Sequence, residues 1–239
     1  MKFKANAIIN SYDVDFKSEL TINAIAKYFQ LAAINHSNKV GYTNGFFTES
    51  GFTWILNRLH IKIFEYPVYM DNIDITTWSK GARGFFAFRD FILEKAGKKC
   101  VVGSSVWLLI DVKNKRPVKV KDEIVERYTV EDEDAFNSDI RRYKPDKIEK
   151  VDSIIEYQLR YKDYDINGHV NNSVYFELIE DAIYREYNKK ITEIKICYLK
   201  EINQHFRNVY VQLRNKENSL HYSICQKDTV FASGEAIVA

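Results

Sequence analysis

Residues 163–182 read DYDINGHVNNSVYFELIEDA, and a polar run passes here without a break into an apolar helical pattern. Apolar residues recur at the spacing of one helix face, and they predict the side of a helix that packs on a core. These inner positions are Val174, Tyr175, Leu178, Ile179 and Ala182. The stretch decides the fold because an earlier segment, YFQLAA at 28–33, resembles its helical part.

The likeness of the two helices extends to the segments after them, since each helix precedes a long β-rich stretch. Residues 63–76 can be laid over residues 199–213, which places Glu65 on Glu201. Aligning YFQL with YFEL places three further pairs, Ser18 on Asp165, Leu20 on Asn167 and Ile22 on His169. A shared order of strand, helix and strand meander, found twice, predicts two structural repeats.

Alternating apolar residues predict strands at 51–64 and 72–79 and a pair joined at Ala96-Gly97. The C-terminal part predicts three strands with turns near Glu217-Asn218 and Lys227-Asp228. One helix followed by an antiparallel meander predicts an α+β unit in which the sheet wraps the helix. A charged stretch without a strand pattern suggests a linker, so we expect domains at 1–125 and 150–239 with a linker at 126–149.

The charge, the cysteines and the missing signature motifs limit the classes of function that this chain could have. The 239 residues carry a net charge of +2, which gives no reason to expect a nucleic-acid partner. No signal peptide or apolar membrane span is evident. Cys100, Cys197 and Cys225 lack metal spacing, so we expect buried thiols and a cytoplasmic protein. The chain has no dinucleotide or phosphate-loop signature, and we expect no cofactor.

The polar run has two interpretations that the residues alone leave open. Asn171 or Asn172 could cap the helix, and Asp163, Asp165 and Gly168 could form a turn. Alternatively, the run is part of an active site, because it holds more polar groups than capping requires. Its polar residues sit at every second position, which in an extended segment would put them on one side, about 6.6 Å apart.

Several segments resemble one family. DYDINGHVNN matches the D-x-D-x-N-x-H-x-N-N pattern typical of the acyl-acyl-carrier-protein thioesterases. CYLKEI is similar to a second family segment, in which a Tyr precedes a catalytic Glu by three residues. Residues 51–81 and 103–120 are also similar to family segments, so the resemblance covers nearly the whole chain. It implies a double hot-dog fold, with two tandem units that each wrap an antiparallel sheet around a central helix.

The resemblance also implies the activity and the residues that perform it. We expect hydrolysis of fatty acyl-acyl carrier protein to free fatty acid, with a catalytic set of Asp165, Asn167, His169 and Glu201. Plant members commonly have Cys directly after the Glu, but this chain has Ile202. Attack by water, without a metal, is therefore expected in place of thiol attack.

Roles can be assigned from residue chemistry. We expect Glu201 to act as the general base and His169 to position the water or polarise the thioester. The two residues could exchange these roles. Asn167 would orient the substrate or water, and Asp165 would hold Asn167 or His169 in place. Backbone N–H groups of Val170 and Asn171, at the helix start, would stabilise the oxyanion.

The first half is expected to hold the acyl chain, and the partner to be an acyl carrier protein with a fatty acyl phosphopantetheine. The acyl-pocket candidates are Phe29, Trp54, Leu56 and Phe85, which could equally be ordinary core aromatics and aliphatics. Such a carrier is acidic, so basic linker residues are docking candidates or simply solvated charges. These are Arg141, Arg142, Lys144 and Lys147.

Three rival functions remain. An acyl-CoA thioesterase would use the same chemistry on another carrier. A hot-dog dehydratase fits the Asn-rich loop less well, and a non-catalytic acyl-binding sensor would bind without turnover. A metal site from Asp165, His169 and Glu201 has no supporting ligand spacing. Chain-length preference and a homodimer are left open.

Overall fold

The computed structural model describes the backbone of residues 1–239 and all side chains except those of residues 44 and 48. The chain forms two compact units. The first unit comprises residues 1–20 and 27–142, and the second unit comprises residues 21–26 and 143–239.

The first unit is built on an antiparallel sheet whose strand order is β1-β3-β4-β5-β2. Its strands are β1 (Phe3–Ile8), β2 (Phe52–Ile63), β3 (Asn72–Arg83), β4 (Phe86–Lys95), β5 (Lys98–Asp111) and the short β6 (Arg116–Pro117), which pairs with β5. Its helices are α1 (Ile22–Lys39), α2 (Asn44–Ser50) and α3 (Asp122–Arg127), and the first residues of α1 group with the second unit.

Helix α1 lies directly on this sheet through an aromatic contact. Phe29 of α1 stacks on Phe91 of β4, with ring centroids 4.5 Å apart. A Cβ at Gly103 of β5 would lie 2.4 Å from the Phe29 ring, so any side chain there would displace the helix. The glycine thus lets helix and sheet approach closely, and both aromatic rings are buried in the core.

The second unit repeats the same plan. Its strands are β7 (Ser153–Gln158), β8 (Ile191–Tyr198), β9 (Asn208–Lys216), β10 (Ser219–Gln226) and β11 (Thr229–Val238). They pair in the order β7-β9-β10-β11-β8, which is the order of the first unit with each strand replaced by its counterpart. A turn of 3-10 helix (Tyr161–Asp163) and α4 (Asn172–Tyr187) come after β7. The predicted double hot-dog fold is confirmed.

Local signals in the sequence explain where the helices begin. The Asn171 side chain accepts the Ser173 N–H at 3.0 Å and caps α4, as predicted. The Thr21 hydroxyl accepts the Ala24 N–H at 3.2 Å at the start of α1. The residues predicted for the inner side of α4 are all buried: Val174, Tyr175, Leu178, Ile179 and Ala182.

The predicted strands form, with turns between residues 95 and 98, 216 and 219, and 226 and 229. Helices α2 and α3 were not predicted, because segments of seven and six residues are too short for a periodic pattern. None of the described helices has the length and apolarity needed to cross a membrane.

Candidate active site

Asp165 shapes the loop between β7 and α4. Its carboxylate accepts the backbone N–H groups of Asn167 at 2.8 Å and His169 at 3.3 Å. The Asp165 N–H donates to the His169 carbonyl at 2.7 Å, and Gly168 takes a positive φ of 76°. The segment is therefore a closed turn, and the expected extended strand with side chains on one side is wrong. Asp165 holds its neighbours through their backbone.

His169 and Glu201 form the centre of the site. A backbone bridge joins His169 to Asn203 and brings two distant chain segments together. The His169 Nε2 atom lies 3.2 Å from the Glu201 Oε2 atom. The His169 side chain is 36% exposed and the Glu201 side chain is 54% exposed. An imidazole and a carboxylate in contact, both reachable by solvent, can position and deprotonate a water molecule.

Glu201 lies beyond the end of β8, outside the regular strand. The N–H groups of Leu199 and Lys200 both donate to the Phe231 carbonyl, where the regular ladder ends. The chain then turns, and the Ile202 carbonyl accepts the Val170 N–H at 2.8 Å. This bond holds the Glu201 segment against the start of α4.

Asn167 is at the open side of the same loop. Its side chain is exposed, and its amide has no hydrogen bond to any part of the chain that the structure describes. The neighbouring Ile166 is 95% exposed. The Asn167 amide is therefore available to a substrate or a water molecule.

The backbone N–H groups expected to stabilise an oxyanion are already used, which corrects that prediction. Val170 donates to the Ile202 carbonyl at 2.8 Å, and Asn171 donates to the Asp163 carbonyl at 2.9 Å. The Asn171 side chain and carbonyl also take the next N–H groups along α4. Among the described residues at this helix start, the Asn172 N–H is the donor left without a partner. It lies at the positive end of the helix dipole.

Two buried tyrosines support this arrangement, and neither was predicted from the sequence to have a role in the site. The Tyr198 hydroxyl donates to the Asn172 carbonyl at 2.9 Å, and the Tyr175 ring meets the Tyr198 ring edge-on at 5.1 Å. Burial raises the pKa of both hydroxyls, which keeps both of them protonated. Tyr198 thus ties the end of β8 to the helix start. Its place three residues before Glu201 was the available signal.

Asp163, at the end of the 3-10 turn, stabilises the segment that leads into the loop. It is buried, and its carboxylate accepts the Arg160 N–H at 2.7 Å. The Arg160 side chain also pairs with Glu177 of α4, with Nη2 to Oε1 at 2.5 Å. The turn interpretation therefore holds for Asp163, whose carboxylate is bonded to Arg160.

The matching loop of the first half shows that the predicted alignment of the repeats is wrong. Asp15 accepts the N–H groups of Lys17 at 2.8 Å and Glu19 at 3.0 Å, as Asp165 does in its own loop. Asp15, and not Ser18, is therefore the counterpart of Asp165, a shift of three residues. The remaining counterparts are Lys17 for Asn167, Glu19 for His169, Ser18 for Gly168 and Ile22 for Asn172.

The alignment after β2 is also shifted, by one residue. The Pro67 carbonyl accepts the Leu20 N–H at 2.8 Å, just as the Ile202 carbonyl accepts the Val170 N–H. Tyr66 therefore stands where Glu201 stands, and the predicted match of Glu65 is wrong. Glu65 instead pairs with Lys98 at 2.6 Å.

A cavity of about 200 Å³ lies in the first unit. Trp54, Phe88 and Trp107 contribute to its walls, and Trp54 is the one of the four predicted acyl-pocket residues that lines it. The other three do not line this cavity, and their place in an acyl pocket stays a prediction. Phe29 and Leu56 are buried in the core, and Phe85 is 48% exposed in the turn between β3 and β4.

The four basic residues proposed for carrier docking are all exposed: Arg141, Arg142, Lys144 and Lys147. Arg141 lies 4.6 Å from the Phe88 ring and its carbonyl accepts a bond from Arg58. The three cysteines are buried. Among the described side chains, no cluster of three or more His, Cys, Asp or Glu residues is arranged to hold a metal ion.

Comparison with known proteins assigns both halves to one family. Residues 1–128 match the acyl-ACP thioesterase N-terminal domain, and residues 146–236 match the acyl-ACP thioesterase C-terminal domain. The chloroplastic oleoyl-acyl carrier protein thioesterase 2 of Arabidopsis thaliana is 30% identical over 84% of this chain and 60% of its own length. The chain thus spans about 60% of the length of such curated relatives.

Solved structures share the fold. The 12:0-ACP thioesterase from Umbellularia californica superposes with a TM-score of 0.85 at 22% identity, over 100% of this chain and 97% of that one. An acyl-ACP thioesterase from Bacteroides thetaiotaomicron superposes with a TM-score of 0.84 at 23% identity, over 100% of this chain and 98% of that one.

Proposed function

Because the chain belongs to the acyl-ACP thioesterase family, we propose that it hydrolyses the thioester of fatty acyl-acyl carrier protein and releases the free fatty acid. The observation that carries this proposal is the contact between His169 and Glu201. The unpartnered Asn172 N–H at the start of α4 supplies the second requirement, a donor for an oxyanion.

The reaction proceeds by water attack. Glu201 removes a proton from a water molecule that His169 helps to hold, and the water oxygen bonds to the thioester carbon. The carbonyl oxygen becomes an oxyanion, which the Asn172 N–H and the helix dipole stabilise. The carbon–sulfur bond then breaks, and the thiol, with a pKa of about 8.5, leaves without strong acid assistance.

Residue chemistry supports water as the nucleophile. Ile202, directly after Glu201, is fully buried and offers no nucleophilic group. Cys197 is 3% exposed, and burial raises the pKa of Cys100 and Cys225, which disfavours their thiolate forms. Asn167, whose amide is open to solvent, would orient the substrate carbonyl or the water.

The division of labour between the units is part of the proposal. The cavity lined by Trp54 would take the acyl chain, and the exposed basic residues at 141–147 would meet an acidic carrier protein. Cytoplasmic localisation stays a prediction, and the number of subunits stays open.

The test is a thiol-release assay with acyl carrier protein and coenzyme A thioesters of matched chain length. We expect turnover with the carrier-protein substrates, and a higher kcat/KM for them than for the coenzyme A thioesters. Preference for coenzyme A would make the chain an acyl-CoA thioesterase. Binding of acyl groups without release of thiol from either carrier would contradict hydrolysis and favour the acyl-binding sensor.

A further inference from the structure

Arg89 of β4 is a buried cation in the wall of the first unit's cavity. Arg89 is 7% exposed, and no carboxylate of the described chain pairs with its guanidinium. A cavity that holds only an alkyl chain gains nothing from such a charge, because a buried ion is costly unless it is paired. Arg89 therefore needs an explanation beyond apolar binding.

The protein satisfies one side of the guanidinium with neutral groups. Its Nη1 atom bonds to His36 Nδ1 at 2.9 Å and Thr77 Oγ1 at 3.2 Å. The guanidinium also lies 5.3 Å from the Tyr128 ring. Burial and the charge of Arg89 lower the pKa of His36 to about 3, so His36 is neutral and accepts this bond. None of these contacts supplies a negative charge.

The other side of the guanidinium makes no hydrogen bond to the described protein atoms. An arginine has five N–H donors, and the contacts at Nη1 leave those on Nε and Nη2 without a protein partner. Two N–H groups directed in parallel are the fork that binds both oxygens of a carboxylate. Tyr128 does not supply the missing negative charge, because burial raises the pKa of its hydroxyl and keeps it neutral.

The rest of the cavity suits an apolar chain. Trp54, Phe88 and Trp107 line it together with Ala33, Ile34 and Val120. Its volume of about 200 Å³ is modestly larger than that of a cavity known to bind benzene, about 150 Å³. A ligand with one anionic end and a short or medium apolar chain matches both the charge and the walls.

We propose that this cavity binds a free fatty acid, with its carboxylate on the Nε and Nη2 side of Arg89 and its chain along Trp54 and Trp107. The site goes beyond hydrolysis, since it takes the acid that the proposed reaction releases and gives the chain a means of product recognition. It uses the cavity to which the proposed function assigns the acyl chain. Its test measures binding without turnover, so the two proposals can fail separately.

The probe is decanoate, and decanol is its uncharged match. Trp54 and Trp107 account for two of the three tryptophans, so ligand entry changes the intrinsic fluorescence. We expect decanoate to bind the full-length wild-type chain about ten- to a hundredfold more tightly than decanol, as a charged hydrogen bond implies. Equal affinities, or no saturable binding of decanoate, would overturn the proposal.

A pair of variants locates the site. Arg89→Met should weaken decanoate binding by about ten- to a hundredfold and leave decanol binding nearly unchanged. Arg83→Met, which removes an exposed arginine of β3, is the control and should bind decanoate as the wild type does. Full decanoate affinity in folded Arg89→Met would refute the assignment. If Arg89→Met does not fold, the wild-type comparison of decanoate with decanol decides the matter.

Discussion

The loop before α1 and the loop before α4 share a backbone and differ in the side chains they carry. Asp15 and Asp165 each accept two N–H groups from their own loop, and each loop has a residue with positive φ at the same place. Where the second loop presents His169, the first presents Glu19. Asp165 therefore belongs to the loop architecture common to both halves, whereas His169, to which we assign a part in the proposed reaction, occurs in one loop alone.

The helix starts differ in the same way. At the start of α1, the Ile22 N–H donates to the Glu180 carboxylate, with N to Oε2 at 3.1 Å. The counterpart at α4, the Asn172 N–H, has no partner in the described chain. One helix start is thus closed by an internal anion, and the other is free to stabilise an anion that forms during a reaction. The comparison teaches that the two copies of a repeated helix start differ in whether their first N–H is available to a ligand.

The largest expected difference is in turnover. Replacing His169 with Ala should lower kcat by about 10²–10⁴-fold, because it removes the partner that holds the attacking water beside Glu201. Glu19→Ala, at the matching position, should change kcat by less than about twofold. Thiol release from acyl carrier protein substrates measures both. Equal losses in the two variants would break the comparison.

The stability of the protein should depend on pH through His36 of the first half. Burial and Arg89 lower the pKa of His36 in the first half to about 3, while the unfolded chain binds this proton near pH 6.5. The unfolded state therefore takes up the proton first, and stability that is full above pH 6.5 is lost as pH falls toward 3. At pH 5 the loss is about 2 kcal/mol.

Urea unfolding at pH 5 and pH 8 measures this effect. His36→Gln should lose less stability between these two pH values than the wild type. The same pH dependence in both proteins would contradict the assignment of the effect to His36.

Removing either aspartate tests whether the loop architecture is shared. Asp15→Ala and Asp165→Ala should each lower the free energy of unfolding by about 1–2 kcal/mol, since each carboxylate accepts two backbone N–H groups. Only Asp165→Ala should also lower kcat, because its loop carries His169. Denaturant unfolding and thiol release measure the two effects. A stability loss in one variant alone would show that the loops are not equivalent.

The smallest expected change in the free energy of unfolding comes from Ser18, the residue of the first loop with positive φ. Ser18 has φ 65° where the second loop has Gly168, and a side chain in this conformation costs about 1–2 kcal/mol. Ser18→Gly relieves that cost but adds freedom to the unfolded chain, so a net gain of about 0.5 kcal/mol is expected. The urea midpoint measures it. A loss of stability would mean that Ser18 contributes contacts that outweigh its strain.

The sequence predicted the strands and long helices of both halves because strand alternation and helix periodicity are local patterns. The pairing of β2 with β5 and of β8 with β11 is non-local and departs from the simple meander that these patterns suggested. The sequence failed on the alignment of the halves for a related reason. A shift of three residues along a helix is almost one turn, so YFQL and YFEL match almost as well in the wrong register. The loop backbone, set by Asp15 and Asp165, defines the register better than the helix does.

The partners of the backbone N–H groups were beyond sequence reasoning. Val170 and Asn171 were plausible donors at a helix start, but Ile202 and Asp163 take their N–H groups through contacts between separate segments. The same contacts place Glu201 after the end of β8. Residue types thus singled out His169 and Glu201 as candidates, and the structure brings their side chains into contact and leaves the Asn172 N–H without a partner among the described residues.

The central claim is that the chemistry lies in the second loop and the segment facing it, and it is tested most directly by turnover of matched variants. Glu201→Gln keeps the size of the side chain but removes the proposed base, and Tyr66→Phe changes its counterpart in the first half. With fatty acyl-acyl carrier protein as substrate, Glu201→Gln should lose about 10²–10⁴-fold in kcat while Tyr66→Phe stays near the wild type. A folded Glu201→Gln variant with wild-type kcat would contradict the account.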